Sequence, residues 1–371
     1  MSSNLDDCEI CIICALPIEA RAILAAFEVN DEKVDLKKAQ GDKNSYMMGK
    51  IGSHKVVLVS MPGMGKVAAA ATATTLQQSF KKIKLALLVG ICGGVPEKVR
   101  LGDVIIGKQV VQYDFGRQYE TGFERKTNPE DSLGRQPPEI RAFVSKLESN
   151  KENLQEKLSE HLAAILPTSG IENIKSLKDD LYPADYWHIH RSSKDCQNGS
   201  TPSETSEDAN KQCQDNVYAC ESARDYTCEE LKCDTEILDH RMRRREKPLM
   251  HFGSIASGDK VIRSATVRDE IAKKDNIIAF DMEAAGVWEY LPCVFIKSVC
   301  DYADSHKNKK WQEYAAIVAA ASVKAVVAQW NTTKGGLPEY QIKNQWINND
   351  STKVMFQTDH VINHGTQHFQ F

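Results

Sequence analysis

Residues 276–304 constrain this chain more than any other stretch. Two apolar runs, residues 277–280 and 293–299, have the length and composition of buried strands, and residues 284–290 between them suit a short helix. A strand, helix, strand unit of this kind belongs in an α/β sheet. Each strand runs into acid: Asp281 and Glu283 follow the first, Asp301 and Asp304 the second. In open α/β sheets, ligands collect in the crevice outside the carboxyl ends of the strands. These carboxylates are therefore the first candidates for chemistry.

The same alternation runs through the rest of the chain. Residues 9–15 read as a buried strand, and Pro17 in a first-turn position starts a helix whose early acid, Glu19, lies just past that strand's carboxyl end. The plain reading of Glu19 is a first-turn glutamate facing its own helix dipole. Residues 46–50 and 55–60 predict a hairpin, which leads to Gly63-Met64-Gly65-Lys66 and an alanine-rich helix to about residue 80. That glycine turn offers backbone N–H groups to an anion or serves tight packing; it lacks the spacing of a P-loop. Residues 84–89 form the next expected strand, closed by a turn at Gly90-Ile91-Cys92-Gly93-Gly94 that lets a ligand approach the backbone. Strands at 103–111 and 251–256, a helix at 266–274 and a long amphipathic helix at 309–330 complete the pattern. The expected fold is α/β, a central mixed, largely parallel twisted sheet flanked by helices.

With 371 residues, 42% of them apolar, and a net charge of -4, the chain can bury a sizeable core as one domain or two. No apolar run approaches the roughly 20 residues that span a bilayer, and the first, residues 10–16, has no basic flank. Membrane insertion and secretion are not expected. Nearly balanced charge gives no basic field for nucleic acid, and Arg241, Arg243, Arg244 and Arg245 read as solvated surface. Eleven cysteines, an odd number scattered through strands and one polar segment, fit a reducing cytoplasmic setting better than a disulfide framework. Cys8, Cys11 and Cys14 read as buried thiols, since alternation sends Cys11 and Cys14 to opposite faces.

Composition shifts over residues 124–250, which read as an insertion, partly disordered, within a domain spanning residues 8–330. Helical pieces are expected at 139–147 and 156–165, and a polar stretch at 192–216. Cys196, Cys213, Cys220, Cys228 and Cys233, with His188 and His190 upstream, leave a zinc knuckle open, although their irregular spacing argues against one. Residues 331–371 form a polar tail whose uncapped end is that expected of a piece of a longer protein.

Six motifs in order resemble the nucleoside phosphorylase and nucleosidase superfamily, including methylthioadenosine nucleosidase and nucleosidase-like modules of fungal proteins. They are Ala15-Leu16-Pro17-Ile18-Glu19, Gly63-Met64-Gly65-Lys66-Val67-Ala68, Val89-Gly90-Ile91-Cys92-Gly93-Gly94, Ser257-Gly258-Asp259, Asp281-Met282-Glu283-Ala284 and Cys300-Asp301-Tyr302-Ala303-Asp304. The resemblance covers about residues 8–123 and 251–330. It implies that Met282 and Glu283 hold a ribose, that Asp301 faces the purine and protonates N7, that Lys260, Val261 and Ile262 line the base, and that Cys92 and Gly93 lie close through their main chain. Phosphorylases of this superfamily carry arginines where this chain has Glu19 and Leu88, whereas nucleosidases carry glutamate at the first place.

The resulting expectation is a purine nucleosidase, cleaving the N-glycosidic bond of adenosine or inosine with Asp301 as acid and Glu19 as base toward water, and needing no metal or organic cofactor. Burial should raise the pKa of Asp301 enough for it to carry the proton. The partner is a small purine nucleoside, neither nucleic acid nor membrane, and the relatives' habit implies a homo-oligomer. A phosphorylase is the nearest rival and would recruit Arg117, Arg125 or Arg263 for its anion. A catalytically silent nucleoside-sensing module is the alternative from another class.

Overall fold

The rule that buried strands are apolar throughout decides the centre of the molecule. β1 (Ile10–Cys14), β5 (Leu85–Gly94) and β13 (Cys293–Asp301) are buried almost end to end, because helices cover both faces of the sheet they share. The computed structural model describes residues 8–30, 38–171, 174, 177–190, 223, 226–240 and 247–331. The expectations for 192–216 and for the tail beyond residue 331 fall outside those residues.

Among the described residues, nine strands form one mixed sheet. β2 (Val29–Asn30) and β3 (Ser45–Ile51) precede β4 (His54–Ser60), and β6 (Val104–Gln112) precedes β11 (Met250–Ser257) and β12 (Ile277–Asp281). Their order is β12-β11-β6-β13-β5-β1-β4-β3-β2. Pairings of β1 with β4 and β5, of β5 with β13, and of β11 with β6 and β12 are parallel, whereas β13 with β6 and the β3–β4 hairpin are antiparallel. A further antiparallel contact, Ala279 with Gly94 and Phe280 with Gly93, returns β12 to β5. Five strands thus close on themselves. This closure carries the end of β12, with Asp281, around to the ends of β5 and β13.

The helices follow the expected alternation: α1 (Pro17–Ala26), α2 (Lys66–Ser79), α3 (Pro138–Ser149), α4 (Lys151–Ile165), α5 (Ala265–Asp275), the single turn α6 (Ala284–Val287) and α7 (Gln312–Val327). Two expectations need correction. α7 is not amphipathic, because all but three of its 16 residues are buried between the sheet and its neighbouring helices. Its alanines make that possible, since small side chains let the sheet, α1 and α4 approach from several sides. β5 does not stop at residue 89 but continues through its glycines to Gly94. α3 and α4 lie inside the segment read as an insertion, yet Ile140, Phe143, Leu147, Leu154 and Leu158 pack into the same core as α7. Cys11 and Cys14 fall in the two separate core layers, one on each side of the sheet.

Close approach of α6 to α2 sets where the residues before α6 stand. Gly286 is the contact: a Cβ there would collide with the backbone carbonyl of Lys66, which cannot swing away as a side-chain end could. Gly286→Ala should therefore destabilise the fold by about 1–3 kcal/mol. Gly134→Ala, where a Cβ meets nothing within 4 Å, should stay within about 0.5 kcal/mol. Chemical denaturation of the two variants compares them directly, and equal losses would show that the α2–α6 contact does not constrain the fold.

Candidate active site

Lys297 is the residue around which the site is built, and sequence reasoning assigned it no role. It sits in the middle of β13, beside Gly90 of β5 in the parallel register, and is wholly buried. A lysine is almost never fully buried without a partner. Its Nζ lies 3.1 Å from Oε2 of Glu283 and 3.5 Å from Oδ2 of Asp281. Burial alone would push the ammonium toward neutrality, but Glu283, Asp281 and Glu19 together hold it charged, above the ordinary lysine value. The signal available in the sequence was one charged residue inside the apolar run Phe295-Ile296-Lys297-Ser298-Val299.

Glu19 reaches this cluster from α1. Its carboxylate accepts hydrogen bonds from three backbone amides: Ala15 and Leu16 on Oε2, both at 2.9 Å, and Ile91 on Oε1 at 2.9 Å. The plain reading is thus partly right, since Glu19 does bind the backbone at the start of its own helix. The bond to Ile91 adds what that reading lacks, a tie across to β5. Gly90 explains how a carboxylate fits there, because a Cβ at that position would strike the Glu19 carboxyl group. A carboxylate offers about four lone-pair positions, so three amides leave Oε1 room for one further donor. Burial pushes the Glu19 carboxyl above its ordinary value, against the opposing pull of Lys297 and the amides.

Three residues further along β5, about 10 Å at the usual strand rise, Gly93 faces the second acidic group. A Cβ on Gly93 would stand 3.2 Å from Oδ1 of Asp301 and 3.0 Å from the methyl of Ala303. Asp301 is buried, accepts from the Ala303 amide at 2.9 Å, and is paired with Lys307, whose Nζ lies 3.1 Å from Oδ2. Asp304 is also buried; burial raises its carboxyl above the ordinary value, and it accepts from the His306 amide at 2.9 Å. Asp281 accepts from the Ala284 amide, and burial, opposed by Lys297, pushes its carboxyl up to about 6. Two strand ends and one helix start thus bring Glu19, Asp281, Glu283 and Asp301 to one end of the closed set of strands.

The remaining expected residues divide. Cys92 and Gly93 are buried on β5 between the two acidic groups, and Met282 is half-buried between Asp281 and Glu283. Lys260 and Val261 are exposed beyond β11, with Lys260 anchored by its carbonyl to the Tyr113 hydroxyl at 2.7 Å; Ile262 packs partly against Tyr113 and Phe280. The glycine turn before α2 is already supplied with an anion, since Oδ1 of Asp259 accepts from the Lys66 amide at 2.8 Å and Lys66 Nζ is 2.6 Å from Asp114. Leu88 is wholly buried apolar core, and Arg21 points away to an exposed pairing with Glu313. Arg125, one candidate for an anion site, is held by both nitrogens to Asp275 at 2.5 and 2.7 Å.

Residues 9–161 match the phosphorylase superfamily. A nucleotide-binding leucine-rich repeat (NLR)-like protein of Hyaloscypha variabilis is 30% identical over 328 residues, which is 85% of this chain and 28% of that protein. A 5'-methylthioadenosine/S-adenosylhomocysteine nucleosidase of Mycobacterium bovis is 32% identical over 130 residues, 33% of this chain and 48% of the enzyme. The chain thus spans about a quarter of the first relative and about half of the second. The solved structure of the Helicobacter pylori 5'-methylthioadenosine/S-adenosylhomocysteine nucleosidase shares the fold with a TM-score of 0.52 at 16% identity, covering 87% of this chain and 99% of that one. Among the described residues no helix is long and apolar enough to cross a membrane. With its glycine-lined strand and its closed set of strands, this chain has a nucleoside phosphorylase/nucleosidase-like fold and is similar to the phosphorylase superfamily over residues 9–161.

Proposed function

We propose that the chain hydrolyses the N-glycosidic bond of purine ribonucleosides, adenosine or inosine, to free base and ribose. The observation that carries this reading is Glu19: a buried carboxylate with one acceptor position left, standing where a phosphorylase needs a cation. Water bound at Oε1 would lose a proton to Glu19 and form the new bond to the anomeric carbon. The electrons of the breaking bond pass to the purine, whose N7 takes a proton from Asp301. Glu283 accepts hydrogen bonds from the ribose hydroxyls, while its negative charge favours the oxocarbenium-like sugar. Lys297 acts as a positioning residue, fixing Glu283 without touching the sugar. For Asp301 to serve N7, its carboxylate must leave Lys307 and take up a proton before the base meets it.

Several features weigh against phosphate as the nucleophile. The glycine turn carries Asp259, Arg125 carries Asp275, and Lys297 faces carboxylates. A dianion placed beside Glu19 and Glu283 would be repelled. A second reading has one specific observation behind it, the alignment of 85% of this chain with part of a much longer NLR-like protein. There the domain would serve as the nucleoside-responsive part of a larger protein, and in a silent version it would bind nucleoside without releasing base.

Incubation with inosine or adenosine, with and without phosphate, should yield free ribose at a rate independent of phosphate. Ribose 1-phosphate would assign the chain to the phosphorylases, and binding without base release would favour the silent sensor. Glu19→Gln and Asp301→Asn should each lower turnover about 100-fold or more; full turnover in either removes its assigned role. Because a base works ionised and burial raises the Glu19 carboxyl, kcat/KM should fall as pH drops through a value above the roughly 4.3 of an ordinary glutamate. An acid limb at or below that value would place the working base elsewhere. Lys297→Met leaves buried carboxylates without their cation and should cost about 3–5 kcal/mol of stability, read from urea denaturation at neutral pH; a loss under 1 kcal/mol would mean that the carboxylates find another partner.

A further inference from the structure

A second cluster of chemistry-bearing side chains stands apart from the acids. His188, Cys228, Cys233 and His306 each direct one ligand atom to a common point, the four atoms lying within 4.8 Å of one another. Cys228 Sγ is 3.6 Å from Nδ1 of His188 and 3.5 Å from Nδ1 of His306, and Cys233 Sγ is 3.6 Å from Nδ1 of His188. A tetrahedral zinc with Zn–S near 2.3 Å and Zn–N near 2.0–2.1 Å requires S···N edges of about 3.5–3.6 Å. Three S···N edges, at 3.6, 3.5 and 3.6 Å, have that length.

The protonation pattern follows from the neighbours. Nε2 of His188 lies 2.9 Å from the carbonyl oxygen of Tyr226, and Nε2 of His306 lies 2.9 Å from that of Tyr186. A carbonyl only accepts, so each Nε2 carries the hydrogen and each Nδ1 presents a lone pair toward the thiols. Carbonyl partners of this kind orient metal-bound histidines. Two thiol–imidazole hydrogen bonds, Cys228 to His306 and Cys233 to His188, would serve both lone pairs, but they leave the third approach, Cys228 to His188, with no proton of its own. A cation at the centre serves all four atoms.

The local fold points the same way. Around these ligands, the buried apolar cluster among the described residues is Tyr182, Ala223, Leu231 and Cys233, and the strands there are a two-residue ribbon, β9 (Asp180–Leu181) with β10 (Asp239–His240). So small a core does not hold a segment in one conformation unaided; such segments are usually stapled by disulfides or a structural metal. The backbone at Cys228 is already turned for the task, the Cys233 amide donating to the Cys228 carbonyl at 2.8 Å. Tyr182 stacks on the His306 ring at 3.8 Å.

We propose that His188, Cys228, Cys233 and His306 form a structural zinc site. Four protein ligands close the tetrahedron and leave no open position for substrate, and a two-sulfur, two-nitrogen set suits zinc among the divalent ions. Three ligands belong to the segment between α4 and β11. The fourth, His306, follows the carboxyl end of β13 five residues after Asp301, so the metal ties that segment to the loop bearing Asp301, Asp304 and Lys307. The expectation of cofactor-free chemistry concerned the acidic site and is untouched by this one.

The test uses the full chain, purified under reducing conditions from zinc-supplemented medium. Elemental analysis should find about one zinc per chain. After chelation, added Co2+ alone should bind one equivalent with the sulfur charge-transfer and intense d–d absorption of a tetrahedral site, and restoring zinc should raise the Tm lost on chelation. Cys233→Ser and His306→Ala should each lower metal content at least tenfold. If these variants do not fold, the wild-type chelation and cobalt measurements decide alone. Zinc below a tenth of an equivalent with no cobalt charge transfer would overturn the proposal, as would full occupancy in folded variants, or a Cys228–Cys233 disulfide whose reduced form binds no metal.

Discussion

The buried ammonium of Lys297 is the constraint on which the acidic site depends. Three carboxylates, on Glu19, Asp281 and Glu283, share one cation, and all four groups are buried. Three carboxylates against one ammonium keep the balance negative even when one acid takes up a proton, and burial, opposed by Lys297, pushes the Asp281 carboxyl up to about 6. Such a site has a sign. In the proposed hydrolysis that sign would favour a sugar that becomes cationic as its bond to the base breaks and would disfavour an inorganic dianion. Removing the lysine would not merely loosen one contact, since each remaining charge would be stranded in a low dielectric.

Backbone geometry makes that crowding possible. β5 carries glycine where Glu19 presses against it at Gly90 and where Asp301 presses against it at Gly93, and Gly94 lies where a Cβ would meet Val299 Cγ1 at 2.6 Å. The glycines serve the protein's own carboxylates and packing first. The contact of β12 with β5 at Phe280 and Gly93 does the rest, carrying Asp281 and Glu283 around to strands that the sheet order alone would hold far apart.

Much of this was legible in the sequence, and the failures have physical causes. Apolar runs of strand length, proline at the start of α1 and alanine content in α2 mark elements whose local preferences agree with the fold. The acids at strand ends were visible because chemistry gathers there. Lys297 was hidden because its meaning lies in partners on another strand and helix, and a strand's one lysine looks locally like an exposed residue. β5 was cut short because glycine reads as a turn when nothing shows that a carboxylate needs the space. α7 was taken for amphipathic, although burial on all sides depends on which helices surround it and not on its own period.

The cysteine and histidine cluster teaches the same lesson from the other side. Spacing along the polar segment argues against a metal because that segment holds only part of the ligand set, alongside His190 and three cysteines outside the described residues that obscure any pattern. The ligand that completes a tetrahedron, His306, comes from beyond β13, 73 positions after Cys233 by their numbers. Each cluster therefore pairs residues distant in sequence, one through a buried cation that the chain supplies and the other through a cation that it would have to acquire. They meet in the turn after β13: the Asp304 carboxylate accepts the His306 amide, and the Ser305 hydroxyl accepts that of His188. The strand-poor stretch at His188 is thus held against the loop that follows Asp301, and the position of that loop decides where the Lys307 ammonium stands relative to the Asp301 carboxylate.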